Sequence, residues 1–174
     1  MKWQYSIRLI LVSFLVLFGI LLQVEKGLYA AWYLFAAAFL LLAGHALFGT
    51  VFPAFQLLQR GLVEDADKLL NQVWNPSWLL PRHRTYFFLS KGMIALKRDN
   101  PAVAEPLLRQ ALQLKPERPL DRAYLSLNLA HIQFLKREYQ ACREFLDLAK
   151  SEQVNDLVVK EHIQRLEQAL ANLT

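Results

Sequence analysis

Apolar residues dominate the first third of the chain without interruption and recur periodically in the rest. Leu9–Val24 contains no charged residue, and Glu25-Lys26-Gly27 forms a polar break. From Leu28 the chain is again uncharged through Gln59. This pattern predicts two long apolar helices joined by a tight turn. After Arg60, apolar and charged positions alternate at helical spacing, which predicts a series of amphipathic helices. Leu9–Val24 reaches about 24 Å at 1.5 Å per residue, a little short of a hydrocarbon core of roughly 30 Å. Trp3 and Tyr5 extend the first stretch, and Tyr29, Trp32 and Tyr33 open the second, as interfacial aromatics would. The expectation is therefore a transmembrane hairpin over residues 1–59, followed by a helical domain over 60–174.

Two alternatives compete for the first stretch. A signal peptide also begins with a basic residue and a short apolar run, but no A-x-A site precedes Leu28. A hairpin outside any membrane is the other. Lys2 and Arg8 before the first stretch and Arg60 after the second place both termini in the cytoplasm by the positive-inside tendency. The expected localisation is an integral protein of the inner or plasma membrane. His45 stands inside the second stretch, where an ionisable group suggests a ligand or a proton path. The plainer reading is a hydrogen bond to the other helix, with Gly44 and Ala46 allowing close approach.

The second half repeats itself at one constant shift, the one that carries Ala54 onto Gly92 and Gly92 onto Ala130. The same shift relates Ala66, Ala104 and Cys142. Leu70, Leu108 and Leu146 correspond, with Leu69, Leu107 and Phe145 beside them, and Val73, Ala111 and Ala149 complete the set. Small residues recur where two helices must approach, and large apolar residues recur where a core must be filled. That is the signature of stacked helix–turn–helix units.

The middle unit, Thr85–Pro116, resembles a tetratricopeptide repeat. Phe88 falls at the large aromatic position of the first helix and Gly92 at its small position. Ala104, Leu108 and Ala111 fall at the small-large-small positions of the second helix, and Pro116 at the closing proline. The third unit keeps Leu129, Ala130, Tyr139, Cys142, Leu146 and Ala149. It has Ser126 where an aromatic is usual and lacks the closing proline. The first unit is degenerate, with its first helix near Pro53–Arg60 and its second near Val63–Trp74. The step from Ala54 to Gly92 is longer than the family's usual period, so the links between units are longer. The resemblance implies a short α-solenoid over about residues 53–154.

Local signals agree with these units. Asn100 is a candidate N-cap with Pro101 at the first helical position. Asn75-Pro76-Ser77-Trp78 marks a longer loop beside Arg82-His83-Arg84. Asn155 is a candidate N-cap for a last helix. Its apolar stripe would be Leu157, Val158, Ile163, Leu166, Leu170 and Leu173, with Lys160, Glu161, Arg165 and Glu167 facing water. Such a helix caps a repeat array. The fold class is thus all-α: two transmembrane helices, a short tetratricopeptide-like solenoid and a capping helix.

Composition narrows the function. Hydrophobic residues make up 55% of the chain, which excludes a disordered one. The formal charge of +5 comes mostly from Lys2, Arg8, Lys26 and Arg60 against Glu25, and the rest of the chain is nearly balanced, so nothing points to the clustered basic face that nucleic acid would need. The single cysteine, Cys142, excludes an internal disulfide or a multi-cysteine zinc site, and it occupies a packing position. No glycine-rich phosphate loop or H-E-x-x-H stands in the chain, and His83, His131 and His162 are far apart. The expectation is a non-enzymatic protein without cofactor or metal. Asn172-Leu173-Thr174 matches a glycosylation sequon at the extreme end, most simply by chance.

The resemblance also implies a groove lined by the first helix of each unit. Its positions are Tyr86, Leu89, Met93 and Lys97 in the middle unit, and Tyr124, Leu127, Asn128 and His131 in the third. The competing reading is that these residues pack against a loop, a neighbouring helix or a second copy. They do not match the basic-and-asparagine pattern that grips a terminal carboxylate in some members. The expected function is to hold or assemble partner proteins at the cytoplasmic face of a membrane. The candidate partners are lipid, a protein or peptide, and a second copy of the chain. Anchoring would raise the effective concentration of a weakly bound partner. The alternative is a subunit or assembly factor of a larger membrane complex, with the hairpin making the specific contacts. A third class is an enzyme or cofactor carrier that uses His45.

Overall fold

The computed structural model describes residues 3–26, 28–48 and 50–172. Side chains are described for 10–24, 29, 31–44 and 50–172. Among the described residues the chain is all-α, with nine α-helices and no strand. It divides into two compact units, Met1–Gly49 and Thr50–Thr174. The division falls before Thr50 rather than after residue 59, because the helix Val51–Gln59 packs with the repeats that follow it.

The first unit is a helical hairpin of α1 (Trp3–Lys26) and α2 (Leu28–Phe48). Val12, Ala31 and Ala38 are buried between the two helices. A close approach lies at Gly19, where an added Cβ would stand 3.1 Å from the ring of Phe35. The expected approach at Gly44 is not found, since a Cβ there would meet nothing within 4 Å. His45 has its side chain outside the described residues.

The expectation of two transmembrane helices, and with it the integral-membrane localisation, is corrected. Among the described residues no helix is long and apolar enough to cross a membrane. The uncharged run of α1, Leu9–Val24, stops at about 24 Å, and the rest of its 24 residues includes Arg8, Glu25 and Lys26. In α2, seven of the 21 residues are alanine, whose side chain offers only a single methyl, and Gly44 and His45 weaken the end. Most of its large aliphatic and phenylalanine side chains gather within Leu34–Leu42, about 14 Å of helix, and even there three alanines stand between them. An uninterrupted lack of charge suggests a span, but length and side-chain size decide the matter. The orientation of the termini rests on those spans and falls with them.

The second unit stacks three helical hairpins and a final helix. The hairpins are α3 (Val51–Gln59) with α4 (Val63–Leu70), α5 (Pro81–Lys97) with α6 (Pro101–Gln113), and α7 (Pro119–Leu135) with α8 (Tyr139–Ser151). The last helix, α9 (Leu157–Ala171), lies against α7 and α8. Successive hairpins meet through α3 on α5, α4 on α5 and α6 on α7. The repeat positions read from the sequence are the packed ones. Ala54, Gly92, Ala130, Ala66, Ala104 and Cys142 are all buried, as are Leu70, Leu108 and Leu146. Burying such side chains is the main stabilising term in an array of this size.

The period of the sequence appears again in the backbone. Gly61, Asp99 and Arg137 all adopt positive φ, of 80°, 54° and 64°, at the turn inside each hairpin. Lys115 and Gln153 do so after the second helix of their hairpins, at 50° and 48°. A left-handed residue there ends the helix and reverses the chain. Pro81 and Pro119 both open a first helix. Arg84 donates to the carbonyl oxygens of Ser77 and Leu79, and Arg122 to those of Pro116 and Glu117, so each pins the loop before its own helix.

The caps are partly as expected. The Asn100 side chain accepts from the amide of Val103 at 3.3 Å. For α9 the cap is Asp156, not Asn155, and it accepts from the amide of Val159 at 3.1 Å. Asn155 instead accepts from the Lys160 ammonium at 2.6 Å. The one-residue shift moves the apolar stripe as well. Val159 and Leu170 are buried, while Leu157 and Val158 face outward.

Candidate binding site

Polar contacts lock each hairpin to the next. Asp67 of α4 accepts from Lys91 of α5 at 2.7 Å and from Arg98, just past α5, at 2.8 Å. One repeat on, Glu105 of α6 accepts from Gln133 of α7 at 2.9 Å and from Lys136 at 2.5 Å. Asp67 and Glu105 stand one period apart, as do Arg98 and Lys136. Burial alone would raise both carboxyls. The donors outweigh it, so Asp67 lies below its ordinary value and Glu105 falls to about 2.

The eight expected groove residues differ in how far they reach the surface. Tyr86, Leu89 and Leu127 are buried, and Met93, Tyr124 and Asn128 are half-buried. Lys97 and His131 are exposed. The first helix of the middle unit lies between α3 and α7 at Tyr86, which meets both neighbours. Its ring stands edge-on to Phe55 and Phe52 of α3, with centroids 5.0 and 5.9 Å away. Its hydroxyl donates to the Asp121 carboxylate of α7 at 2.9 Å and accepts from Arg118 at 3.4 Å. Asn128 donates to the Tyr124 carbonyl oxygen. Tyr124 in turn is held by Asp156, as Tyr86 is by Asp121. Burial, then the facing carboxylate, pushes both phenols up.

His131 faces α9. Its surroundings desolvate the ring, the charge of His162 adds to this, and its pKa is lowered. The structure thus brings together two histidines that lie far apart in sequence. No third ligand joins them: among the described residues no group of three or more His, Cys, Asp or Glu side chains is placed to hold a metal ion. Cys142 is buried and burial raises its thiol pKa, which suits packing rather than nucleophilic chemistry.

A concavity lies beside the Tyr86–Asp121 pair. It holds about 180 Å³ and runs between the start of α5, the link after α6 and the start of α7. Its floor is Thr85, Tyr86 and Asp121, and its rim carries Arg82, Lys115, Glu117 and Arg118. The volume is below the roughly 300 Å³ at which small-molecule pockets begin and suits one side chain of a partner. Sequence reasoning missed this cleft because its rim comes from a link and two helix starts rather than from one helix face. The signal was present in the run Lys115-Pro116-Glu117-Arg118 and in the pair Pro81-Arg82.

No protein family, curated protein or solved structure matches this chain. Nothing in these comparisons identifies a tetratricopeptide family.

Proposed function

We propose that this chain is a tetratricopeptide-like interaction module, without enzymatic activity, that holds partner proteins on its helical array. The observation that carries the reading is the repeat itself, present at once in buried positions, left-handed turn residues and inter-hairpin ion pairs. Stacked hairpins of this kind form an extended surface in which each unit adds recognition area. A short array offers a small surface, so single-site affinity is modest and partner exchange is fast.

A second reading has its own observation. Large apolar side chains of the first unit face outward, among them Ile10, Phe14, Leu21, Val24, Phe39 and Leu40. Apolar exposure on this scale marks a surface that another molecule covers. In that reading the chain is a subunit or assembly factor of a larger complex, and the hairpin makes the specific contact.

One experiment separates the two. The full chain, an array variant (Lys97→Glu with His131→Glu) and a hairpin variant (Phe14→Ser with Phe39→Ser) are used to capture cross-linked partners from native cells. The module reading expects a partner whose recovery falls at least tenfold in the array variant alone. Loss in the hairpin variant alone overturns it in favour of the subunit reading.

A further inference from the structure

We infer that the cleft between the starts of α5 and α7 receives the carboxylate side chain of an Asp or Glu residue in a partner segment. The inference rests on the interaction reading and names what that surface selects.

Charge is the first argument. Three cationic side chains line the cleft, Arg82, Lys115 and Arg118, against two acidic ones, Glu117 and Asp121. Among the described residues, none of the three cations has a carboxylate within ion-pair distance. Elsewhere in this unit several cations that face a neighbouring element are paired, as Lys91 and Arg98 are with Asp67 and Arg122 is with Glu152. The cleft therefore holds an excess of one positive charge that the fold leaves uncompensated. A monoanionic carboxylate balances it, whereas a phosphate dianion would overshoot and meet Asp121 at the floor.

Geometry is the second argument. The Tyr86 hydroxyl occupies Asp121, with both carboxylate oxygens within 3.1 Å, so the floor is already satisfied and does not compete for the rim cations. Arg118 reaches that hydroxyl through one terminal nitrogen, which orients its guanidinium over the cleft. Lys115 owes its place to its left-handed backbone, which turns the link around the cleft after α6. The apolar walls are Pro81, Leu114 and Pro116, suited to the methylenes of an acidic side chain. A cavity of about 180 Å³ admits one such side chain and excludes a larger ligand.

The test uses the full chain and two fluorescent peptides with blocked ends, one alternating glycine with glutamate and the other glycine with glutamine. Fluorescence anisotropy at low ionic strength is expected to show the glutamate peptide binding at least tenfold more tightly. In Arg82→Glu/Lys115→Glu, two exposed changes whose folding circular dichroism verifies, that preference is expected to disappear. Arg118→Lys keeps the charge but not the fork, and is expected to lose part of it. Equal binding of the two peptides by the wild type overturns the inference, as does an undiminished preference in the double variant. Competition with inorganic phosphate and acetate checks the ligand class: displacement by phosphate at far lower concentration overturns the choice of carboxylate. The double variant is also carried through the partner capture. A partner lost in the Lys97/His131 variant but retained here refutes the cleft and leaves the module reading standing.

Discussion

A Cβ added to Gly92 would stand 2.7 Å from both Cγ and Cδ2 of Leu108. Leu108 is fully buried in the core that the first two hairpins share with Leu125, Leu129 and Ile132 of α7, so it has little room to withdraw. The small residue at this repeat position is thus the condition for α5 and α6 to lie together. Gly92→Ala is expected to cost about 1–3 kcal/mol despite the better helix propensity of alanine. Urea unfolding of the full chain followed by circular dichroism measures it. Gly92→Ala with Leu108→Ala should recover part of the loss relative to the sum of the single changes.

Tyr86→Phe removes the hydroxyl that faces the Asp121 carboxylate. The ring and its edge contacts to Phe52 and Phe55 remain. Asp121 is then left buried without that donor, and the expected loss is about 1–3 kcal/mol. Tyr86→Phe/Asp121→Asn should cost less than the two single losses added. Strict additivity in denaturant titrations would show that the pair does not interact.

Glu105 titrates at about 2 in the folded chain and near 4.5 when free. Its folded value is depressed, so its contribution is present above pH 4.5 and disappears as the pH falls through 4.5 toward 2. The thermal midpoint should therefore drop over this window. In Glu105→Gln the midpoint is lower at neutral pH and falls less steeply on acidification. Parallel pH profiles for the two proteins would contradict this assignment.

Arg137 stands at φ 64°, at the turn position that Gly61 fills in the first hairpin with φ 80°. A left-handed conformation costs a non-glycine residue roughly 1–2 kcal/mol. Glycine removes that strain and returns part of the gain as unfolded-state entropy. Arg137→Gly is expected to stabilise the chain by about 0.5–1 kcal/mol, read as a shift in the urea midpoint at constant slope.

Much of the second unit was legible because its packing is encoded by residue size. Ala66, Ala104 and Cys142 are small where helices touch, and close packing accounts for their shared spacing. The ion pairs repeat at the same spacing, with Asp67 and Glu105 opposite Arg98 and Lys136, but isolated charges look like any solvated face until their partners are known. The groove residues were harder to place. Tyr86 has the character of a contact residue, and only the packing of α3 and α7 on either side shows that it is interior. The hairpin of the first unit misleads for a different reason. Absence of charge is plain to read, while the seven alanines of α2 pull against a span without breaking the run.

The left-handed turns, the opening prolines and the inter-hairpin ion pairs share one spacing, and this makes the middle hairpin a removable cassette. Excising residues 81–118 would join Leu80 to Pro119, placing proline where proline stood, Arg122 where Arg84 stood and Tyr124 where Tyr86 stood. Asp67 would then meet Lys136 in place of Arg98. The Lys91 contact to Asp67 has no counterpart, since Leu129 stands one period on, so an array shortened by a whole unit keeps its turns and one ion pair but needs this one position redesigned.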